Sequence, residues 1–290
     1  MFEAGRPQVR ISRGWVFTAF FLAVLICVQA KPATATTEAY QPLGRDDPFV
    51  LVLNEDFDAP TLNQTLWVTC YWWDTNGCTN LSSKNLNWYR PDNVSIEDGK
   101  LVLTARPEEV KGWRGQTFPY TSGMVTSGRY YADPSSATGF EATYGFFEIR
   151  AKVPAGQGLW PAFWMLPSSH ASLPEIDIME VLGHDPTLLE LHFHHVDTNG
   201  EKQSAGREVA TEDLSKGWHI YGVDWSPDRI VWYLDGQEVW RFSERETVPN
   251  VPMYLLINLA VGGSWPGNPD STTPFPARFE IDYVRAWQRP

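Results

Sequence analysis

The chain has 290 residues, 43% hydrophobic and 20% charged, enough to bury one complete core and too apolar to be disordered. Its net charge of −12 argues against nucleic acid and anionic membranes as partners. Fourteen tryptophans, spread through a chain rich in polar turns, suggest aromatic surfaces that meet a flat ligand as well as a core.

Residues 1–30 have the layout of a signal peptide. Arg6, Arg10 and Arg13 form a basic region, and Trp15 to Val28 is a largely apolar run of 14 residues, short for a membrane span. Val28-Gln29-Ala30 and Ala33-Thr34-Ala35 offer small-residue cleavage sites after Ala30 or Ala35. An uncleaved signal anchor is the alternative. Cleavage predicts a secreted protein, extracellular or periplasmic, with no membrane attachment. Losing three Arg and one Glu takes the net charge from −12 to −14, which suits a monomer acting on a neutral polymer. Residues 31–47, rich in Ala, Thr and Pro and without periodicity, read as a flexible linker. Residues 48–290 read as one domain.

From Phe49 onward short apolar stretches recur between turn signals. Residues 50–53, 100–104, 145–153, 175–181, 188–195, 219–225, 229–234, 253–261 and 277–287 are expected strands, with hairpin turns at Asp98-Gly99 and Asp235-Gly236. Only 211–216 suggests a helical turn. This pattern predicts an all-β sandwich or barrel, with no internal repeat and no second domain. Cys70 and Cys78, eight positions apart in an exported chain, are an expected disulfide around a short loop. Sequons stand at Asn63, Asn80 and Asn93.

The informative segment is Glu175-Ile176-Asp177-Ile178-Met179-Glu180-Val181. Strand side chains alternate, so Ile176 and Ile178 enter the core while Glu175 and Asp177 face away from it. Strict alternation would then bury Glu180, and an unpaired buried carboxylate costs several kcal/mol. A β-bulge near Met179 returns Glu180 to the acid face and sends Val181 inward. Glu175 and Glu180 then stand about 13 Å apart at Cα, at roughly 3.3 Å per residue. Side chains leaning inward leave about 5 Å between the carboxylates, the separation of retaining rather than inverting glycosidases. Three acids crowded on one face have pKa values pushed apart, supplying one ionised and one protonated group. An acidic solvent face is the plain alternative. Upstream, however, Trp160 and Trp164 lie within five residues, as indoles that stack on sugar rings would.

Glu175–Glu180, preceded by Gly158-Leu159-Trp160-Pro161-Ala162-Phe163-Trp164-Met165-Leu166, resembles glycoside hydrolase family 16. The resemblance runs over nearly all of 49–290 through Tyr144–Lys152, Tyr221–Pro227, Trp232–Gly236, Asn258–Gly263 and Asp282–Arg285. Met179 matches the bulged, laminarinase-like branch, and Glu180–Pro186 is similar to bacterial enzymes that trim β-glucans and exopolysaccharides. Pro174 departs from the Gly usual in that branch.

The resemblance implies a jelly-roll sandwich of two antiparallel sheets, concanavalin A-like, with a concave glycan-binding cleft. It implies Glu175 as nucleophile, Glu180 as general acid/base and Asp177 as the residue tuning them, in an endo-acting hydrolase of β-1,3- or mixed β-1,3/1,4-glucan. A transglycosylase on the same glycans and a non-catalytic lectin are the competing readings. Expected substrate contacts are Trp160, Trp164, His194, Asn258, Trp265, Glu148, Arg150 and Asn93. His192 shares the face of His194 and Glu190, and alternation turns Asn258 toward the cleft. No cofactor is required for this chemistry. The resemblance adds a structural calcium on Glu55, the Gly99 carbonyl and Asp282.

Overall fold

The computed structural model describes Met1 and residues 40–72, 78–112, 115–130, 133 and 136–290. The expected signal at 1–30, Met1 apart, and linker residues 31–39 lie outside the described residues. In chain order the strands are β1 (Val50–Glu55), β2 (Asn87–Tyr89), β3 (Val94–Ile96), β4 (Leu101–Ala105), β5 (Val110–Lys111), β6 (Thr117–Phe118), β7 (Tyr120–Ser122), β8 (Met124–Thr126) and β9 (Gly145–Lys152). They continue with β10 (Leu159–Pro167), β11 (Glu175–Glu180), β12 (Leu188–Val196), β13 (Lys202–Ala210), β14 (His219–Ser226), β15 (Arg229–Leu234), β16 (Gln237–Phe242), β17 (Met253–Val261) and β18 (Ala277–Gln288).

Two antiparallel sheets face each other. The first runs β16-β15-β14-β9-β18-β4-β3, with β1 also paired to β18. The second runs β13-β12-β11-β10-β17-β8. The inward residues of both form the main core, among them Phe147, Ile149, Phe163, Met165, Ile176, Leu191, Phe193, Leu255, Ile257 and Leu259. A smaller apolar cluster sits on the outer face of the six-stranded sheet, where Cys70, Tyr71, Cys78 and Tyr89 cover Trp164, Leu166, Tyr254 and Leu256. The Cys70–Cys78 disulfide, with Cα atoms 5.2 Å apart, ties this covering segment.

The turns obey local backbone chemistry. Asp98 and Gly99 both have positive φ (50° and 69°), as a two-residue hairpin between twisted strands demands. Asp235 and Gly236 repeat this (48° and 79°) between β15 and β16. The expected helical turn is a single 3-10 turn at Leu214–Lys216, where the Ser215 amide donates to the Asp213 side chain at 3.0 Å.

Three departures from expectation have physical causes. β13 is an edge strand on which most positions are exposed, so Lys202–Ala210 shows no apolar alternation. β10, packed on both faces, is almost continuously buried and lacks alternation for the opposite reason. Residues 40–47, expected within the linker, belong to the folded domain. Trp287 Nε1 donates to the Tyr40 carbonyl at 2.6 Å, the Leu43 amide to Glu148 Oε2 at 3.1 Å, and Arg45 Nη1 to Tyr233 Oη at 2.8 Å.

Candidate active site

β11 carries the expected bulge. Against β10, Asp177 faces Trp164 and Met179 faces Phe163, leaving Ile178 unmatched. Against β12, Asp177 faces His192 and Glu180 faces Glu190, so that Ile178 and Met179 on one strand stand against Leu191 alone on the other. Ile176, Ile178, Met179 and Val181 are all fully buried in the core. Burial of each apolar side chain contributes about 1.5–3 kcal/mol, which holds the register. Glu175, Asp177 and Glu180 are thereby turned to the outer face, as the sequence required.

The acids meet their neighbours at short range. Trp160 Nε1 donates to Glu180 Oε1 at 3.1 Å, and His192 Nδ1 shares a proton with Glu180 Oε2 at 2.8 Å. Trp164 Nε1 donates to Asn258 Oδ1 at 2.8 Å, while Asn258 Nδ2 donates to Tyr89 Oη at 3.2 Å. Asn258 therefore faces the site side and is held by two side chains rather than by backbone. Trp265, on a loop and 39% exposed, sets its ring edge-on to Trp160 and His192 at 5.2 and 5.5 Å. Trp160, Trp164, Asn258 and the three acids line one small cavity of about 80 Å³. Glu175 and Trp164 also border a larger one of about 460 Å³, with Trp72 and His170.

Burial and mutual repulsion set the protonation. Burial first, and the Glu180 charge second, push Glu175 up to about 8, while a hydrogen bond from Asp177 pulls it back. Asp177, 3% exposed, is driven well above the carboxylate range by burial and then by the Glu175 and Glu180 charges. These carboxylates titrate together. The direction that follows is that the cluster retains a proton at neutral pH, held on Asp177 and donated to Glu175. Burial opposes a charged His192, but the Glu180 hydrogen bond and charge outweigh it and raise its pKa. His194 is lowered by burial and then by His192.

His194, the expected cleft histidine, borders a cavity of about 420 Å³ with Glu175, its Nε2 3.5 Å from Asp177 Oδ2, while its neighbour His192 makes the hydrogen bond to Glu180. Other expectations need correction. Glu148 and Arg150 lie on β9, in the eight-stranded sheet, away from the acids. Glu148 accepts from Tyr283 Oη at 2.8 Å and from the Leu43 amide, and Arg150 pairs with Asp282 at 2.7 Å. Alternation told which residues share a face, not which sheet owns the strand. Asn93, 1% exposed, donates to the Thr104 carbonyl at 2.7 Å and Thr121 Oγ1 at 3.0 Å, a buried structural amide instead of a sugar contact. The residues that sequence reading passed over are Tyr71, Trp72 and Tyr89. The signal available for the first two was their place between the cysteines.

Among the described residues, two donor triplets are close enough to hold a cation: Glu175, Asp177 and His194, and Asp177, Glu180 and His192, each within 4.8 Å. The expected calcium ligands are differently placed. Glu55 accepts from the Phe57 amide at 3.1 Å and from Trp67 Nε1 at 3.3 Å, and Asp282 holds Arg150.

The model of glycosyl hydrolases family 16 matches residues 81–285. The endo-1,3-1,4-beta-glycanase EglC of Rhizobium meliloti is 33% identical over 81% of this chain and 50% of its own length. A beta-glucanase of Rhodothermus marinus is 31% identical over 97% of this chain and 98% of that one. The chain spans about half the length of the Rhizobium relatives it matches. The catalytic domain of an endo-1,3-beta-glucanase (laminarinase) from Thermotoga petrophila superposes with a TM-score of 0.72 at 34% identity, covering 84% of this chain and 99% of that domain. With the bulged acid strand of that resemblance in place, the conclusion is plain: the chain belongs to glycosyl hydrolases family 16.

Proposed function

We propose that this protein is a secreted, monomeric endo-β-glucanase that hydrolyses β-1,3- or mixed β-1,3/1,4-glucan with retention of configuration. The observation that carries the reading is the set of three carboxylates on one outer sheet face, crowded onto each other rather than paired with Arg or Lys. The names of its relatives, a 1,3-1,4-glycanase, a beta-glucanase and a laminarinase, support the substrate class. The signal layout of 1–30 supports export, and no helix among the described residues is long and apolar enough to cross a membrane.

The chemistry divides among three residues. Glu180 protonates the glycosidic oxygen as Glu175 attacks the anomeric carbon, forming a glycosyl-enzyme bond and breaking the C–O bond to the leaving sugar. Asp177, keeping its proton, donates a hydrogen bond to the ionised Glu175 until the attack and again when Glu175 leaves as a carboxylate, while the charge that Glu175 gives up appears on Glu180. Glu180, now a carboxylate, removes a proton from water, which attacks the same carbon and frees the sugar with retention. The 2.8 Å contact lets His192 hold the proton that Glu180 gives and takes. Trp160, bonded to the same carboxylate, orients it.

The test is hydrolysis of laminarin, mixed-linkage glucan, agarose and carrageenan by residues 31–290, beside Glu175→Gln. Glucan cleavage that the substitution abolishes is the expected result. Cleavage of a galactan instead would keep the chemistry and overturn the substrate. Binding without turnover would favour the lectin, and transfer to added oligosaccharide the transglycosylase.

A further inference from the structure

We propose that Trp232, on the sheet that holds none of the acids, is a positioning residue for the reaction. Its indole N–H locks the β11 bulge that brings Glu180 into line with Glu175 and Asp177. The inference rests on the catalytic reading above and adds a residue to it.

The bulge has a cost at its own backbone. Ile178 is unmatched against β10, and the Asp177 carbonyl that enters this bulge is turned far enough toward the core to accept from a side chain of the opposite sheet. A buried carbonyl left without a donor is strongly disfavoured. Trp232 Nε1 supplies that donor at 2.8 Å, reaching across the core from β15. The indole has little freedom to do anything else. Trp232 is fully buried, faces Val223 and Trp240 across its neighbouring strands, and stacks on Trp240 at 4.2 Å between centroids.

The alternative that this bond opposes is specific. β11 without its bulge would return the Asp177 carbonyl to the ladder, but a shift of one residue turns Glu180 toward the core and Val181 outward. The Trp232 N–H stabilises the bulged register alone. It thereby sets how far Glu180 stands from Glu175 and Asp177, and so their mutual repulsion. This assigns a role to Trp232-Tyr233-Leu234-Asp235-Gly236, a stretch that carries part of the family resemblance and meets the acid strand through the Asp177 carbonyl rather than through a carboxylate.

The experiment compares two substitutions of the same chemistry. Trp232→Phe removes the N–H and keeps an aromatic ring. Trp225→Phe does the same at another fully buried indole, which donates to the Pro249 carbonyl at 3.0 Å. Both should lower Tm. Only Trp232→Phe should lower kcat on laminarin or mixed-linkage glucan, about tenfold or more, with KM within about twofold and the limbs of the pH–rate profile displaced. Equal kinetic losses in both variants, or unchanged kcat and pH limbs in Trp232→Phe, overturn the proposal.

A second measurement leaves both indoles in place and needs no turnover. The indole 1H–15N resonance of Trp232 should follow the titration of the acids and shift in Glu175→Gln, while that of Trp225 stays put. A Trp232 resonance that does neither overturns the proposal. Because this readout is independent of hydrolysis, absence of glucanase activity and failure of the positioning role are told apart.

Discussion

The two outer faces of the sandwich both bury carboxylates, and they treat them in opposite ways. On the eight-stranded sheet Asp224, 1% exposed, receives both terminal nitrogens of Arg289 at 2.8 and 2.7 Å, with Arg45 at 3.7 Å. Glu148 beside it takes the Tyr283 hydroxyl and the Leu43 amide. On the six-stranded sheet Asp177 and Glu180 are as buried, but neither meets Arg or Lys: their titratable neighbours are other acids and histidines, and Glu180 also takes the Trp160 indole N–H. Asp177 Oδ2 lies buried without a hydrogen-bond partner. A buried acid matched to a cation is part of the scaffold. Acids matched to one another hold protons that chemistry can use.

The largest effect expected from that contrast is kinetic. Glu175→Gln should cost roughly 10⁴-fold or more in kcat, the scale on which loss of a covalent nucleophile acts, with Tm retained or raised because one repelling charge is gone. Steady-state rates and a thermal scan on one preparation check both halves. A drop in Tm with kcat intact would break the contrast outright.

The converse substitution should behave conversely. Asp224→Ala strands Arg289 and Arg45 and should destabilise by about 3 kcal/mol, at the lower end for a buried pair because Arg289 is 36% exposed. The value of kcat below Tm should not change. Denaturant unfolding measures the first and initial rates the second.

The pH dependence of stability sharpens the comparison further. The Glu175–Asp177 pair, titrating together with Glu175 raised from 4.5 to about 8, binds more protons folded than unfolded across that interval. Its contribution is therefore fully present below pH 4.5 and lost as pH climbs through about 8. Tm of the unsubstituted protein should fall between pH 5 and 8 more steeply than that of Glu175→Gln. Parallel curves would mean that the acid face is not under the strain described here.

The smallest effect tests a correction. Arg150 and Asp282 are each about one-third exposed, so Arg150→Ala should change stability by about 0–1 kcal/mol. It should leave KM for glucan unaltered, whereas a rise in KM would return Arg150 to the cleft.

Much of this site could be read from order alone. Two isoleucines alternating with two acids define a strand and its faces, and the misplaced Glu180 demands a bulge because a lone carboxylate cannot be buried. Ile178 and Met179, both in the core, are the structural answer to that demand. Asn258 follows from the same alternation between Ile257 and Leu259. His192 and His194 show where the method stops. They share a face and a chemistry, and only packing against Glu180 and Asp177 separates them.

The sequence by itself determined the all-β architecture, the acid face, the bulge and the disulfide. Each is set by local rules: side-chain alternation, turn backbone, the cost of a buried charge, and two thiols one loop apart. The tertiary structure alone decided that β9 lies in the far sheet, that residues 40–47 strap that sheet's outer face, that Asn93 is interior, and that Trp232 reaches the Asp177 carbonyl. These are pairings between residues far apart in the chain. No local periodicity encodes which distant strand, donor or ring a side chain will meet, because that choice is made by the packing of the whole core.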